Sequence, residues 1–301
     1  MQRRVFLSSL VGVGAGTGLV ARPAAAQDVV RRVGAVTIRV ELSRARPGGV
    51  ALVRLAARGR IGAAWALLDG RRAPFFPDRG GLRALVPIDL TAEAGPATLG
   101  IGLAARQGEQ RIAVPVTLGE RTDASRVVVP SELQRALFAR PEARHDARRL
   151  LALLRTQSTA PVPGALRPPV GVPGHGFGEA RTWTGLAQVE SRIDGLGGER
   201  HRGIDYPLPA GSPVSAPGAG RVLFAGPLTL TGGTVAIDHG QGVVSVLLHL
   251  ERIDVREGDA LAAGAPLGLS GDGGLAPEPL AEWRVYLHAV AVDPLLLGAL
   301  L

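Results

Sequence analysis

The sequence predicts a mainly β protein, with an N-terminal immunoglobulin-like β-sandwich and a short helical connector ahead of a second domain. Three observations predict it. Glycine (42) and proline (23) are abundant while aromatics are only 4%, a mixture that favours short strands and frequent turns over long helices. Short β-branched or alternating runs recur between turn signals over the first 120 or so residues. Helical spacing appears in one stretch after Pro130 and then gives way to a proline-rich segment. With 301 residues, 46% of them apolar, the chain can build two modest cores.

Residues 1–26 read as an export segment. Arg3 and Arg4 precede Val5-Phe6-Leu7, an uncharged stretch runs from Leu10 to Ala21, and Ala24-Ala25-Ala26 stands before Gln27. This order resembles a twin-arginine signal peptide. It implies cleavage after Ala26 and a periplasmic mature chain. The apolar stretch is short and broken by Gly12, Gly14, Gly16 and Gly18, so no stable membrane span is expected.

Residues 27–121 carry the sandwich. Ala35–Val40, Val50–Leu55 and Arg111–Val116 read as strands, and Arg46-Pro47-Gly48-Gly49, Leu68-Asp69-Gly70 and Asp78-Arg79-Gly80-Gly81 as the turns between them. No cluster of ionisable residues there suggests chemistry, so the expected role is a spacer or targeting module. Residues 122–170 form the connector. Ser131 stands in a cap-like position before Glu132–Leu137, Pro141 interrupts, and Ala143–Leu154 reads as a helix with Leu150, Leu151 and Leu154 on one side. Ala160-Pro161-Val162-Pro163-Gly164 and Pro168-Pro169 then stiffen the passage into a last domain at 171–301.

Several function classes are excluded. There is no cysteine, so disulfides, thiol nucleophiles and thiolate zinc sites cannot form. The net charge of +8 comes from arginine alone. No run of five or more arginines occurs, and nucleic-acid binding has little support. A residual attraction to an anionic polymer is consistent with the charge.

The chemistry-bearing residues lie in two segments: His201-Arg202-Gly203-Ile204-Asp205, and Gly240-Gln241-Gly242 followed by Leu247-Leu248-His249-Leu250. His-x-x-x-Asp alone is a weak signal. In a straight strand the two side chains would start about 13 Å apart, so a shared metal needs a bend, which Gly203 can provide. The surrounding order is more specific: Phe177-Gly178-Glu179-Ala180-Arg181, the His201 block, Ala216–Val222, Gly233–Gly240 and Gly258-Asp259-Ala260-Leu261. From Phe177 to the end this resembles the lysostaphin/LytM-type zinc metalloendopeptidases, which cut peptides of bacterial peptidoglycan. The resemblance implies an antiparallel β peptidase domain. It makes His201 and Asp205 zinc ligands and His249 a catalytic imidazole.

The last family motif departs from that pattern. The spacing to Val292-Asp293-Pro294 places the His-x-His positions on Leu280 and Glu282. His288 lies six residues further on, about 20 Å along a strand with no turn expected. His239, in a hairpin-like segment, and His145 and His175, in linker sequence, are expected to be non-ligands, the last two solvated. Glu282 is an acceptable zinc ligand by type. Two carboxylates would acidify a bound water less than one does, and Leu280 can neither donate nor move a proton.

Three readings follow. The first is an exported cell-wall protein with lost or weakened hydrolysis that binds peptidoglycan or a partner such as a cell-wall amidase or divisome protein. The second is an active zinc endopeptidase with Zn2+ on His201, Asp205 and Glu282. The third makes the N-terminal sandwich the functional part.

Overall fold

A computed structural model describes residues 27–59, 61–105, 108–156, 158–160, 162, 164–185, 200–298 and 300–301; the expected export segment, 1–26, lies outside them. The chain is mainly β. In order come β1 (Val29–Val33), β2 (Val36–Glu41), β3 (Val50–Ala57), β4 (Ala64–Leu68), β5 (Arg71–Pro74), β6 (Phe76–Asp78), β7 (Gly81–Pro87), β8 (Gly95–Ala105) and β9 (Gly108–Leu118). They form two antiparallel sheets, β1-β2-β3-β7-β6 and β5-β4-β8-β9. One apolar core lies between them, with Ile38, Val53, Ile101 and Val114 fully buried.

Alternation explains these strands. Along β9, Ile112, Val114, Val116 and Leu118 are buried while Arg111, Ala113, Pro115 and Thr117 are exposed. Pro115 is tolerated because β9 is an edge strand and lacks a second neighbour to receive its missing N–H. In β3 both faces are buried, and the two-residue period sorts them. Ala51, Val53 and Leu55 face the sandwich core, while Val50 and Leu52 join the core of the following domain.

β10 (Ser125–Val128) leads into α1 (Glu132–Ala139) and α2 (Pro141–Leu154). Ser131 and Gln134 form a reciprocal capping box. Pro141, expected to interrupt a helix, instead begins α2, because the first helical turn needs no proline N–H. Ala143, Ala147, Leu150 and Leu154 of α2 pack into the larger core. β10 pairs in parallel with β11 (Ala180–Trp183), which opens the last domain.

That domain holds β12 (Ile204–Pro207), β13 (Pro213–Ser215), β14 (Gly220–Leu228), β15 (Gly232–Gly240), β16 (Val243–Ile253), β17 (Ala260–Leu261), β18 (Pro266–Ser270), β19 (Leu280–Leu287), β20 (Val290–Val292) and α3 (Pro294–Gly298). The sheet runs β12-β19-β16-β15-β14-β17, with β18 also on β16, β13 on β18, and β20 on β19. Its pairs are antiparallel. β19 and the first eight residues of β16 are buried throughout, so these central strands read as continuous rather than alternating runs. A hairpin joins β19 to β20 through His288 and Ala289 at φ 50° and 64°, a two-residue turn with both residues left-handed. The sequence carries no Gly or Asn to announce that turn. Among the described residues no helix is long and apolar enough to cross a membrane.

Candidate metal centre

The register of three strands assembles the site. Asp205 on β12 lies opposite Glu282 on β19, and Glu282 lies opposite Leu248 on β16. His249 follows at φ 65°, just before an irregularity in the β16–β18 pairing. That left-handed residue re-aims its side chain across the groove. His201 precedes β12 and is tied to segment 174–179: its N–H donates to the Glu179 carbonyl (2.8 Å) and its carbonyl accepts from Gly178 (2.8 Å). The chain bends at Gly203, as expected, and the residue is needed there for room as well. Its φ is not left-handed, but a Cβ there would lie 2.6 Å from Glu282 Oε1 and 2.8 Å from Arg284 Cγ.

His201, Asp205 and Glu282 are brought together, with one ligand atom from each lying within 4.8 Å of the others. All three are buried, as are His249 and Leu280. Each imidazole has its Nδ1 against a carbonyl, His201 at 3.2 Å from Gly176 O and His249 at 2.7 Å from Gly273 O. A carbonyl only accepts, so each Nδ1 carries a proton. His201 Nε2 then faces two carboxylates, Glu282 Oε1 at 3.1 Å and Asp205 Oδ1 at 3.2 Å. Burial opposes charge on His201, but Glu282 and Asp205 outweigh it and its pKa is raised. His249 Nε2 is 3.4 Å from Glu282 Oε2.

Two arginines complete the cluster, and the sequence reading assigned a role to neither. Arg284 forks onto Glu282, Nε to Oε1 at 2.6 Å and Nη2 to Oε2 at 3.0 Å. Arg181 donates to Asp205 Oδ2 at 2.8 Å and to Glu179 Oε2 at 3.2 Å. Burial would raise the Glu282 pKa, but Arg284 and then His201 hold it well below the usual carboxylate range. For Asp205 burial is likewise overcome, by the His201 hydrogen bond and by the charges of His201 and Arg181, and its pKa is lowered. A signal for Arg284 was present: positions 280, 282 and 284 share one face of a strand, so a Glu–Arg pair two apart can sit side by side in the groove.

By donor type the site suits zinc. By charge it does not. His201, Arg181, Arg284 and, at 3.9 Å from Glu179, Arg126 already face Glu179, Asp205 and Glu282, four cations against three carboxylates. A divalent ion would displace one proton from His201 and add a further positive charge in a buried place. It would also share Oε1 with the guanidinium, and like charges about 4 Å apart repel by about 4 kcal/mol per unit pair at an effective dielectric near 20. The residues present therefore do not fit a divalent ion while Arg284 is in place.

The other histidines stand apart. His239 is buried between Ala219 O and Ser245 Oγ, 2.8 Å from each. His145 is exposed on α2. His175, its side chain 38% exposed, also lies against Glu179 Oε1 (3.3 Å) and Arg126 Nη1 (2.9 Å). His288 sits at the far turn of β19, so the strand does fold back, though at the end remote from Glu282.

Residues 199–294 match Peptidase family M23. A Buchnera aphidicola protein called an uncharacterized metalloprotease is 32% identical over 94 residues, covering 31% of this chain and 25% of that protein. The peptidoglycan DD-endopeptidase ShyA of Vibrio cholerae is 31% identical over 93 residues, 31% of this chain and 22% of that one. The matched stretch thus spans about a quarter of the length of these curated relatives. Beyond that stretch, a crystal structure of a Pseudomonas aeruginosa chain assigned to peptidase M23 aligns at a TM-score of 0.59 and 28% identity, covering 85% of this chain and 95% of the other. Residues 199–294 of this chain are therefore a peptidase M23 domain, the lysostaphin-type family to which its motifs point.

Proposed function

We propose that this is an exported cell-wall protein whose M23 domain binds peptidoglycan peptides without hydrolysing them, alone or beside a partner such as a cell-wall amidase or divisome protein. One observation carries the reading. The groove face of β19 presents Leu280, buried and unable to move a proton, next to a Glu282 held by Arg284. One imidazole, His249, is left where hydrolysis in the family that the motifs resemble uses two. Losing one such group typically costs a factor of about a hundred to a thousand in rate. The relatives' peptidoglycan activity, as named for ShyA, supports the polymer as ligand. The export signature at 1–26 supports a periplasmic location with cleavage after Ala26.

The domain division 27–121, 122–170 and 171–301 belongs to the same proposal. So does an immunoglobulin-like identity for the first unit, which its two strand orders around a single core support. The competing reading is an active zinc endopeptidase. It is favoured by the convergence of His201, Asp205 and Glu282. Purified peptidoglycan incubated with residues 27–301 separates the two. Sedimentation with the polymer and no release of soluble peptides is expected. Zinc-dependent release, abolished by His201→Ala, would overturn the proposal.

A further inference from the structure

We propose that Arg284 is the resident cation of this groove, standing in for a divalent ion, and that it alone keeps a latent zinc site closed. The proposal shares Glu282 with the functional reading above but makes a separate claim about metal.

Three observations carry it. The guanidinium meets both oxygens of Glu282 in a planar fork, the geometry in which arginine neutralises a carboxylate most completely. The pair is built into the packing around it. Gly203, in the loop between His201 and Asp205, has room for no Cβ because the Glu282 carboxylate and the Arg284 stem occupy that space. The donors that remain are the right kind at the right spacing. His201 Nε2 lies 3.1 Å from Glu282 Oε1 and 3.2 Å from Asp205 Oδ1. Three ligands about 2.1 Å from one zinc ion stand apart by a similar distance.

What separates this cluster from a metal site is thus a charge already present, not a missing ligand. Arginine stays protonated at every ordinary pH, so the closure is permanent rather than switchable. A buried carboxylate needs a cation of some kind. With the guanidinium gone, a divalent ion becomes the group that can satisfy Glu282 and Asp205 together, while His201 gives up its proton.

The test is bound zinc, measured by elemental analysis on residues 27–301 after incubation with excess zinc and dialysis into metal-free buffer. The wild type is expected to retain less than about a tenth of an ion per chain, and Arg284→Met about one. Adding His201→Ala to Arg284→Met should remove it, and Arg284→Lys, which keeps a charge, should stay metal-free. Because Arg284→Met leaves Glu282 unpaired and can unfold, its thermal unfolding is followed with and without zinc. Zinc should raise the midpoint of the variant by several degrees and leave the wild type unmoved. Stoichiometric zinc in the wild type overturns the proposal, even if peptidoglycan binding without cleavage stands. So does an Arg284→Met chain that neither binds zinc nor is rescued by it. Cleavage of peptidoglycan by a zinc-free wild type would sink the functional reading and leave this one intact.

Discussion

The two halves of the molecule bury different things. The sandwich core between β2, β3, β4, β7, β8 and β9 is wholly apolar. Among the described residues, every buried polar or charged side chain lies at Gln134 or beyond, and His201, Asp205, His249, Glu282 and Arg284 lie in the M23 domain. Taking a charge out of water is costly unless it is paired and hydrogen-bonded. A domain that carries a whole network of such groups bears a cost that its neighbour avoids. The difference is one of construction: the sandwich buries apolar side chains alone, and the last domain buries a network of charges.

Breaking each half in its own currency should show it. The largest effect is expected at Arg284. Arg284→Ala strands Glu282 without its principal cation and, in metal-free buffer, should cost about 3–5 kcal/mol in urea unfolding. A loss under about 1 kcal/mol would mean that the fork contributes little. Ile101→Ala attacks the apolar half. It empties a fully buried position and should cost about 2–5 kcal/mol, with no change in peptidoglycan sedimentation at temperatures where the variant is folded.

The seam between the halves should report through pH. Burial pushes the His288 pKa down to about 4 from 6.5, against a weaker pull from the Leu85 backbone of the sandwich. A depressed imidazole favours the folded state above its unfolded value. That contribution fades as pH falls from 6.5 toward 4, by about 3 kcal/mol in all. His288→Asn, which tolerates the left-handed backbone, should reduce the slope to the part that His239 carries. The ion cluster behaves differently. The lowered Asp205 and Glu282 contribute above the ordinary carboxylate range and lose that only at lower pH. The raised His201 contributes below the ordinary imidazole value and loses that only as pH climbs through its raised one. Between those limits the cluster adds no slope, so the loss from 6.5 down to the carboxylate range belongs to the depressed imidazoles, His288 and the buried His239, whose pKa burial also lowers. A slope that persists unchanged in His288→Asn would contradict this.

The smallest effect is expected at an ion pair of the other half. Arg54 bridges Glu41 and Asp78, but its side chain is 42% exposed. Arg54→Ala should change stability by about 0–1 kcal/mol. A loss as large as that of Arg284→Ala would erase the contrast between the halves.

Much of this was legible in the chain. β2, β3 and β9 follow alternation, the Ser131 cap was visible with Gln134 three residues on, and His201, Asp205 and His249 stood out through their flanking motifs. Glu282 followed from the spacing of the family motif that the chain resembles. Other features had no local signal. His288-Ala289 turns without the residues that usually mark such a turn. Pro141 reads equally as a break or as a helix start. Gly203 reads as a bend, which it is, but not as the residue whose missing side chain makes room for the Glu282 carboxylate.

By itself, then, the sequence determined which residues share a face, which segments are strands, and which family motifs survive and which are replaced. Those properties depend on period and spacing along one chain. Only the tertiary structure decided that Glu282 is answered by Arg284, that Arg181 reaches Asp205, and that each carboxylate of the cluster already faces a cation of the chain. Pairing of that kind depends on which strands lie side by side and in what register, and burial then makes each unmatched charge too costly to leave alone. Neither quantity is a local property of the residues concerned.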